Sequence, residues 1–116
     1  MPLPVLDDGL DEAEMNRMMQ NARNATDFLK ALAHEGRLMI LCHLAAGERS
    51  VTELEQLLSQ RQAAVSQQLA RLRLEGLVES RREGKTIYYS LADGRARRMI
   101  EIVYDMFCNE DGAAER

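Results

Sequence analysis

Between Ser50 and Leu91 the apolar residues change their spacing once, and that change limits what the chain can fold into. Up to Gly76 they recur every three or four positions, the repeat of a helix with one buried face. Beyond Gly76 they alternate, the repeat of a half-buried strand. Ser50 and Glu53 have the spacing of a capping box and open a helix, with Val51, Leu54, Leu57 and Leu58 facing inward. Ser59-Gln60-Arg61 is a short polar turn. A second helix follows with Ala64, Val65, Leu69, Leu72 and Leu74 as its apolar positions and ends at Gly76. Then 77–82 reads as a strand, Glu83-Gly84-Lys85 as a turn, and 86–91 as the return strand, with Ile87, Tyr89 and Leu91 on one face. Two short helices joined by a tight turn and followed by a hairpin form a winged helix-turn-helix. The expected fold class is mainly α with a small β-hairpin.

The flanks are helical. From Asp11, Met15, Met18, Met19, Ala22, Ala25, Phe28, Leu29 and Leu32 keep a helical spacing, and Asp11 with Glu14 resembles a second capping box. A break falls near His34-Glu35-Gly36. A helix from about Gly36 to Ala46 carries Leu38, Ile40, Leu41, Leu44 and Ala45, and Gly47 closes it. The last helix runs from about Asp93 to Cys108 with Met99, Ile100, Val103, Met106 and Phe107 as its stripe. Residues 1–10, with two prolines and a glycine, are expected to form a flexible arm, 11–108 the folded domain, and 109–116 a flexible polar tail.

With 46% apolar residues the chain can build a core, yet its net charge of −4 seems wrong for a nucleic-acid binder. The distribution removes the objection. Residues 1–60 carry a net −5, residues 61–98 a net +5 and residues 99–116 a net −4. A basic third inside an acidic chain is an electrostatic footprint for phosphate, although a solvated charged surface gives the same count. No stretch is apolar for the roughly 20 residues a membrane span needs, since Leu38–Cys42 stops at His43. The N-terminus lacks the basic start and apolar run of a secretion signal, so a cytoplasmic location with reduced thiols is expected.

The segment from Gln62 to Arg73 has the makings of a reading helix. Gln62, Ala63, Ser66, Gln67 and Gln68 are expected on its DNA side, where glutamine can bond adenine edges and serine a base or a phosphate. Arg71 and Arg73 suit phosphate clamps. Arg81, Arg82, Lys85 and Thr86 on the hairpin are expected beside the duplex backbone or its minor groove. The expected partner is pseudo-palindromic double-stranded operator DNA.

At these residues the chain resembles the ArsR family of winged-helix repressors. The resemblance rests on 29–38 (LKALAHEGRL), Val51-Thr52-Glu53-Leu54, 64–73 (AVSQQLARLR), Gly76-Leu77-Val78 and Tyr88-Tyr89-Ser90-Leu91, and it covers about residues 15–108. It implies a homodimer built through the first and last helices, here by Met15, Met18, Met19, Ala22, Met99, Ile100, Val103, Met106 and Phe107. It also implies release of DNA on binding an inducer. Two positions depart from the family pattern: Arg61 replaces a small capping residue, and Gln68 stands where histidine is common.

Many members of that family sense metals through cysteines on the support helix or Asp and His on the last one. Here 53–58 has no cysteine, the last helix has no histidine, and His34 and His43 are isolated in sequence, so neither a metal nor another cofactor is expected. Two cysteines remain, Cys42 and Cys108, with no C-x-x-C spacing. By itself each is equally a small buried hydrophobe. Their contexts, Leu41-Cys42-His43-Leu44 and Met106-Phe107-Cys108, resemble the persulfide-responsive branch of the family. That resemblance implies that the two thiols of one subunit approach each other and are joined by reactive sulfur species or oxidants. A switch of this kind needs at least one thiol with a lowered pKa and some exposure. The alternatives are a metal-regulated repressor, a thiol redox enzyme using Cys42 beside His43, and a protein-interaction module on the same fold.

Overall fold

The computed structural model describes residues 11–92 and 94–108. The expected arm 1–10 and tail 109–116 lie outside the described residues, as does Asp93 at the expected start of the last helix. Five helices and three strands follow in the order α1 (Glu12–Leu32), α2 (Glu35–Ala45), β1 (Arg49–Ser50), α3 (Val51–Leu58), α4 (Gln62–Leu74), β2 (Val78–Glu83), β3 (Thr86–Leu91) and α5 (Gly94–Phe107). The chain divides into two compact units, one ending at Lys30 and one beginning at Ala31.

The first unit is α1 up to Lys30. The carboxylate of Asp11 accepts the Glu14 backbone N–H at 2.7 Å, which satisfies one of the donors a helix start leaves open. Of its methionines, Met15 and Met19 are exposed and Met18 is half-buried.

The second unit is built around α2, which packs against α3, α4, α5 and β3. Ile40, Leu41 and Leu44 are buried on α2, Leu54 on α3, Val65, Leu69 and Leu72 on α4, and Ala96 and Ile100 on α5. α2 begins one residue earlier than the spacing predicts, because His34 caps it. The His34 ring nitrogen Nδ1 accepts the Arg37 backbone N–H at 3.4 Å. Gly36 lies beneath that ring, where a Cβ would stand 3.2 Å from it and push the ring aside by a few tenths of an ångström. At the far end Ala46 is the C-cap, and Gly47 follows at φ +152°, donating to the Leu44 carbonyl.

The helix-turn-helix forms as its spacing predicts. Ser50 and Glu53 complete a reciprocal capping box, with Glu53 N–H to Ser50 Oγ at 3.1 Å and Ser50 N–H to a Glu53 carboxylate oxygen at 2.9 Å. Ser59 ends α3 in the left-handed region, φ 53°, and its N–H closes on the Glu55 carbonyl. α4 then starts at Gln62 with Arg61 as N-cap. As expected from an arginine at this position, no side-chain bond caps the helix.

Three expectations are corrected. The wing is part of a three-stranded antiparallel sheet in the order β1-β3-β2, because Arg49 and Ser50 pair with Tyr89 and Tyr88. A two-residue strand is too short to show a period, so spacing could not reveal it. Glu83 belongs to β2 opposite Thr86, which leaves Gly84-Lys85 as a two-residue turn with Gly84 at φ +63°, the Gly-first form that matches strand twist. Finally, Leu57 does not face inward: it is 46% exposed, and of the apolar positions on α4 Ala64 is exposed and Leu74 is 82% exposed. A helix of eight residues has one buried turn face, and Leu54 occupies it.

These burials make a stability prediction. Leu54→Ala, at a fully enclosed side chain, should lower the unfolding free energy by about 2–5 kcal/mol, whereas Leu74→Ala should change it by about 0.5 kcal/mol or less. Urea unfolding followed by circular dichroism reads both. Equal effects would mean that Leu74 is covered in solution.

Candidate DNA interface and thiol groove

Two faces of the second unit carry the residues singled out by the sequence. On α4, Gln62, Ala63, Ser66 and Gln67 are all exposed along the leading turns. Gln68 does not join them. It is half-buried, and its side-chain oxygen accepts Arg37 Nη1 at 3.5 Å, tying the reading helix to α2. The same arginine donates Nε to the Ala31 carbonyl at 2.7 Å. Three residues along the helix from the buried Val65, Gln68 leans toward α2 and is less open than the other four. Arg71 is exposed and pairs with Glu75 at 3.2 Å, while Arg73 is exposed on the last turn.

On the wing, Arg81 has a different role from the other cations. Its Nε and Nη2 both contact the Glu48 carboxylate at 2.7 Å, and its Nη1 contacts Glu83 at 2.7 Å. The guanidinium also lies 4.7 Å from the centroid of the Tyr88 ring, its cross-strand neighbour. This bidentate pairing holds Glu48 below the usual carboxylate range and raises Arg81, each through hydrogen bonding first. Arg81 thus braces the root of the wing against the turn before β1, with its charge balanced by two carboxylates. Arg82, Lys85 and Thr86 are exposed, and neither Arg82 nor Lys85 has a carboxylate partner among the described residues. Lys85 and Thr86 share a small cleft of about 170 Å³ with Gln62 and Thr52, where the wing meets the start of α4. Glu48 gave no signal in the sequence, because it lies far along the chain from Arg81.

Cys42 and Cys108 line one open groove of about 650 Å³ between α2 and the end of α5. Cys42 is half-buried and Cys108 exposed, and both are free thiols. Burial raises the Cys42 thiol above its ordinary range, and the nearby Cys108 raises it further. Partial burial and the neighbouring Cys108 both disfavour a thiolate at Cys42, so Cys42 is not a thiol of lowered pKa. His43 also lines the groove, half-buried. Next to it, Arg97 on α5 donates Nη1 to the Ala45 carbonyl at 2.9 Å and fastens α5 to the C-terminal end of α2. Of the apolar stripe on α5, Ile100 is buried in this unit's own core, Met99 and Val103 are half-buried, and Met106 and Phe107 are exposed. Ile100 is thus spent within the protomer. No group of three or more metal-ligating side chains occurs among the described residues, and no helix among them is long and apolar enough to cross a membrane.

A capped support helix, an exposed polar reading helix and a basic wing define a winged helix-turn-helix regulator. The model of the bacterial regulatory proteins of the arsR family matches residues 34–80. The biofilm growth-associated repressor of Agrobacterium fabrum is 48% identical over 99 residues, covering 85% of this chain and 85% of that protein. The transcriptional activator HlyU of Vibrio cholerae is 44% identical over 101 residues, covering 85% and 94%, and its reduced form superimposes with a TM-score of 0.78 at 43% identity over 80% of this chain and 98% of that one. The transcriptional repressor BigR of Xylella fastidiosa superimposes with a TM-score of 0.75 at 41% identity, covering 83% and 98%. The chain belongs to the arsR family of bacterial transcriptional regulators.

Three predictions follow the geometry. Lys85→Ala should lower the slope of log affinity for duplex DNA against log salt by about one, the loss of one phosphate contact, while Arg81→Ala should leave the slope near that of the parent. Fluorescence anisotropy over a salt series measures both, and an Arg81→Ala slope lowered like that of Lys85→Ala would place Arg81 on the phosphate. The Arg81–Glu48 brace should hold above the ordinary carboxylate range and be lost as pH falls through the lowered Glu48 pKa. For the thiols, iodoacetamide should label Cys108 before Cys42 at neutral pH. Since the raised Cys42 pKa means that its thiolate forms only at higher pH, its labelling rate should keep climbing in alkali where that of a free cysteine has levelled. Peptide mass spectrometry reads both sites, and faster labelling of Cys42 at neutral pH would contradict the burial.

Proposed function

We propose that this chain is a homodimeric transcriptional repressor, switched by sulfur chemistry at Cys42 and Cys108. With both thiols reduced it binds a pseudo-palindromic operator through Gln62, Ala63, Ser66 and Gln67 on α4, with Arg73, Arg82, Lys85 and Thr86 on the flanking backbone. Residues of α1 and α5 (Met15, Met18, Met19, Ala22, Met99, Val103, Met106 and Phe107) supply the dimer contact. The names of the Agrobacterium and Xylella relatives support repression, and a cytoplasmic setting keeps the thiols reduced.

The observation that carries the switch is the shared groove: two cysteines far apart in sequence line it together, Cys42 on α2 and Cys108 just past the end of α5, and the two helices pack on each other. The exposed Cys108 reacts first. Its thiolate takes the outer sulfur of a persulfide, RSSH, and RSH leaves. Cys42 then displaces hydrosulfide from the Cys108 persulfide, which leaves a disulfide; from a hydrotrisulfide, RSSSH, Cys108 takes the S–SH group as RS⁻ leaves, and Cys42 attacks the sulfur next to that of Cys108 and expels hydrosulfide, which leaves one sulfur in the bridge. The two cysteines lose two electrons, which reduce the sulfane sulfur. A bridge pins α5 to the middle of α2, and α2 holds α4 through core packing and the Arg37–Gln68 bond. Half-sites lie one helical turn apart, so a small change in the spacing of two reading helices costs affinity. A coupling of about 1–3 kcal/mol weakens binding by about 5–150-fold.

The test is a titration of operator DNA by fluorescence anisotropy, before and after treatment with inorganic tetrasulfide. Mass spectrometry of the joined Cys42 and Cys108 peptides accompanies it. Treated protein should bind more weakly by a factor in that range, and Cys42→Ser should not respond. Unchanged affinity in bridged protein would sink the switch.

A further inference from the structure

The groove beside the two sulfurs has a chemistry of its own. Its volume of about 650 Å³ is that of a small-molecule cleft, larger than two thiols and a sulfur bridge need. Met39, Ala45, Ala46, Ile100 and Tyr104 supply most of its wall. No lysine or arginine lines it, whereas Glu101 and Asp105 do. Arg98 lies with those carboxylates in an adjoining depression and does not line the groove. A receptor for an anionic sulfur carrier needs cationic or N–H donors at the entrance. This groove offers a mostly apolar wall, two carboxylates and, as its one nitrogen-bearing side chain, the half-buried His43.

We infer that the groove between α2 and α5 is a binding site for neutral, apolar organic polysulfanes, which it delivers to Cys108 and Cys42 in preference to anionic sulfur carriers. The inference rests on the proposed dithiol switch and names the class of molecule that trips it.

For a dialkyl trisulfide, RSSSR, the chemistry closes without another reagent. Cys108 thiolate attacks the central sulfur, and one RS⁻ leaves and takes a proton. Cys108 then carries an S–S–R chain. Cys42 attacks the sulfur next to that of Cys108 and expels the second RS⁻, which is also protonated. The product is a Cys42–Cys108 bridge with one inserted sulfur, plus two RSH. The trisulfide is the oxidant and accepts the two electrons that the cysteines lose. Each alkyl group lies against Met39, Ala46 and Tyr104 while its sulfur reacts, so binding and reaction favour longer chains until the groove is full.

The experiment measures bridging rates of the full chain with dimethyl, diethyl and dipropyl trisulfide, with glutathione trisulfide and with inorganic tetrasulfide. Each rate is divided by that for free cysteine. Peptide mass spectrometry reports the bridge with its inserted sulfur. The normalised rate should rise about two- to four-fold for each methylene added per alkyl group, the range expected for partly to fully buried CH₂. Dipropyl trisulfide should exceed glutathione trisulfide by about ten-fold or more, as expected for like-charge exclusion plus lost apolar contact. Met39→Gln, which puts a polar side chain in the groove wall, should flatten the chain-length trend. Glu101→Gln should narrow the gap to glutathione trisulfide. A flat trend with normal bridging by tetrasulfide would overturn the groove as a selector and leave the switch standing. Absence of a bridge with every donor would overturn the switch itself.

Discussion

Everything in the second unit depends on the burial of α2. Its residues Ile40, Leu41 and Leu44 are enclosed, and the helix touches α3, α4, α5 and β3. Each fully buried aliphatic side chain contributes about 1.5–3 kcal/mol, so three on a helix of 11 residues fix its position firmly. Polar contacts at both ends add direction to that apolar hold. At the N-terminal end are the His34 cap and the Arg37 bonds to Ala31 and Gln68; at the C-terminal end is the Arg97 bond to the Ala45 carbonyl. The helix cannot shift without disturbing the reading helix at one end or α5 at the other.

The wing obeys a similar rule with different chemistry. Its strands bury little beyond Val78, and most of their residues are exposed or half-buried. Charge takes over the task of packing. Arg81, paired with Glu48 and Glu83 and stacked on Tyr88, joins the hairpin to the chain before β1. Exposed pairs usually contribute little, but a bidentate fork with a stacked ring fixes geometry even where it adds little free energy. The brace removes one cation from the count available for phosphate. The basic third of the chain is therefore less basic toward DNA than its sum suggests.

The elements were legible in the sequence because they rest on local signals. The Ser50–Glu53 capping box, Gly84 at the turn and the period change after Gly76 each act within a few residues. What escaped was long-range or had no period. β1 is two residues, and its partners lie in β3. Gln68 reads as polar and outward until Arg37 of α2 claims it, and Leu57 and Leu74 fit an apolar spacing that the core does not use. Residue type placed the cysteines as candidates; the fold supplied the groove, and with it the burial that raises Cys42 rather than lowering it.

That raised pKa bears on how a dithiol site divides its labour. A thiolate attacks, and a thiolate also leaves; a buried thiol with a raised pKa is slow to start an exchange, but a sulfur chain already on its neighbour reaches it at high effective concentration. Cys42 thus suits the second step, which is intramolecular, and exposed Cys108 the first, which draws a reagent from solution. The same burial that slows Cys42 makes it less reactive toward passing oxidants than an open thiol. In the proposed switch, selectivity then comes from order: a reagent must fit the groove, react at its rim and leave a chain that reaches the α2 wall before α2 and the helices packed on it are affected.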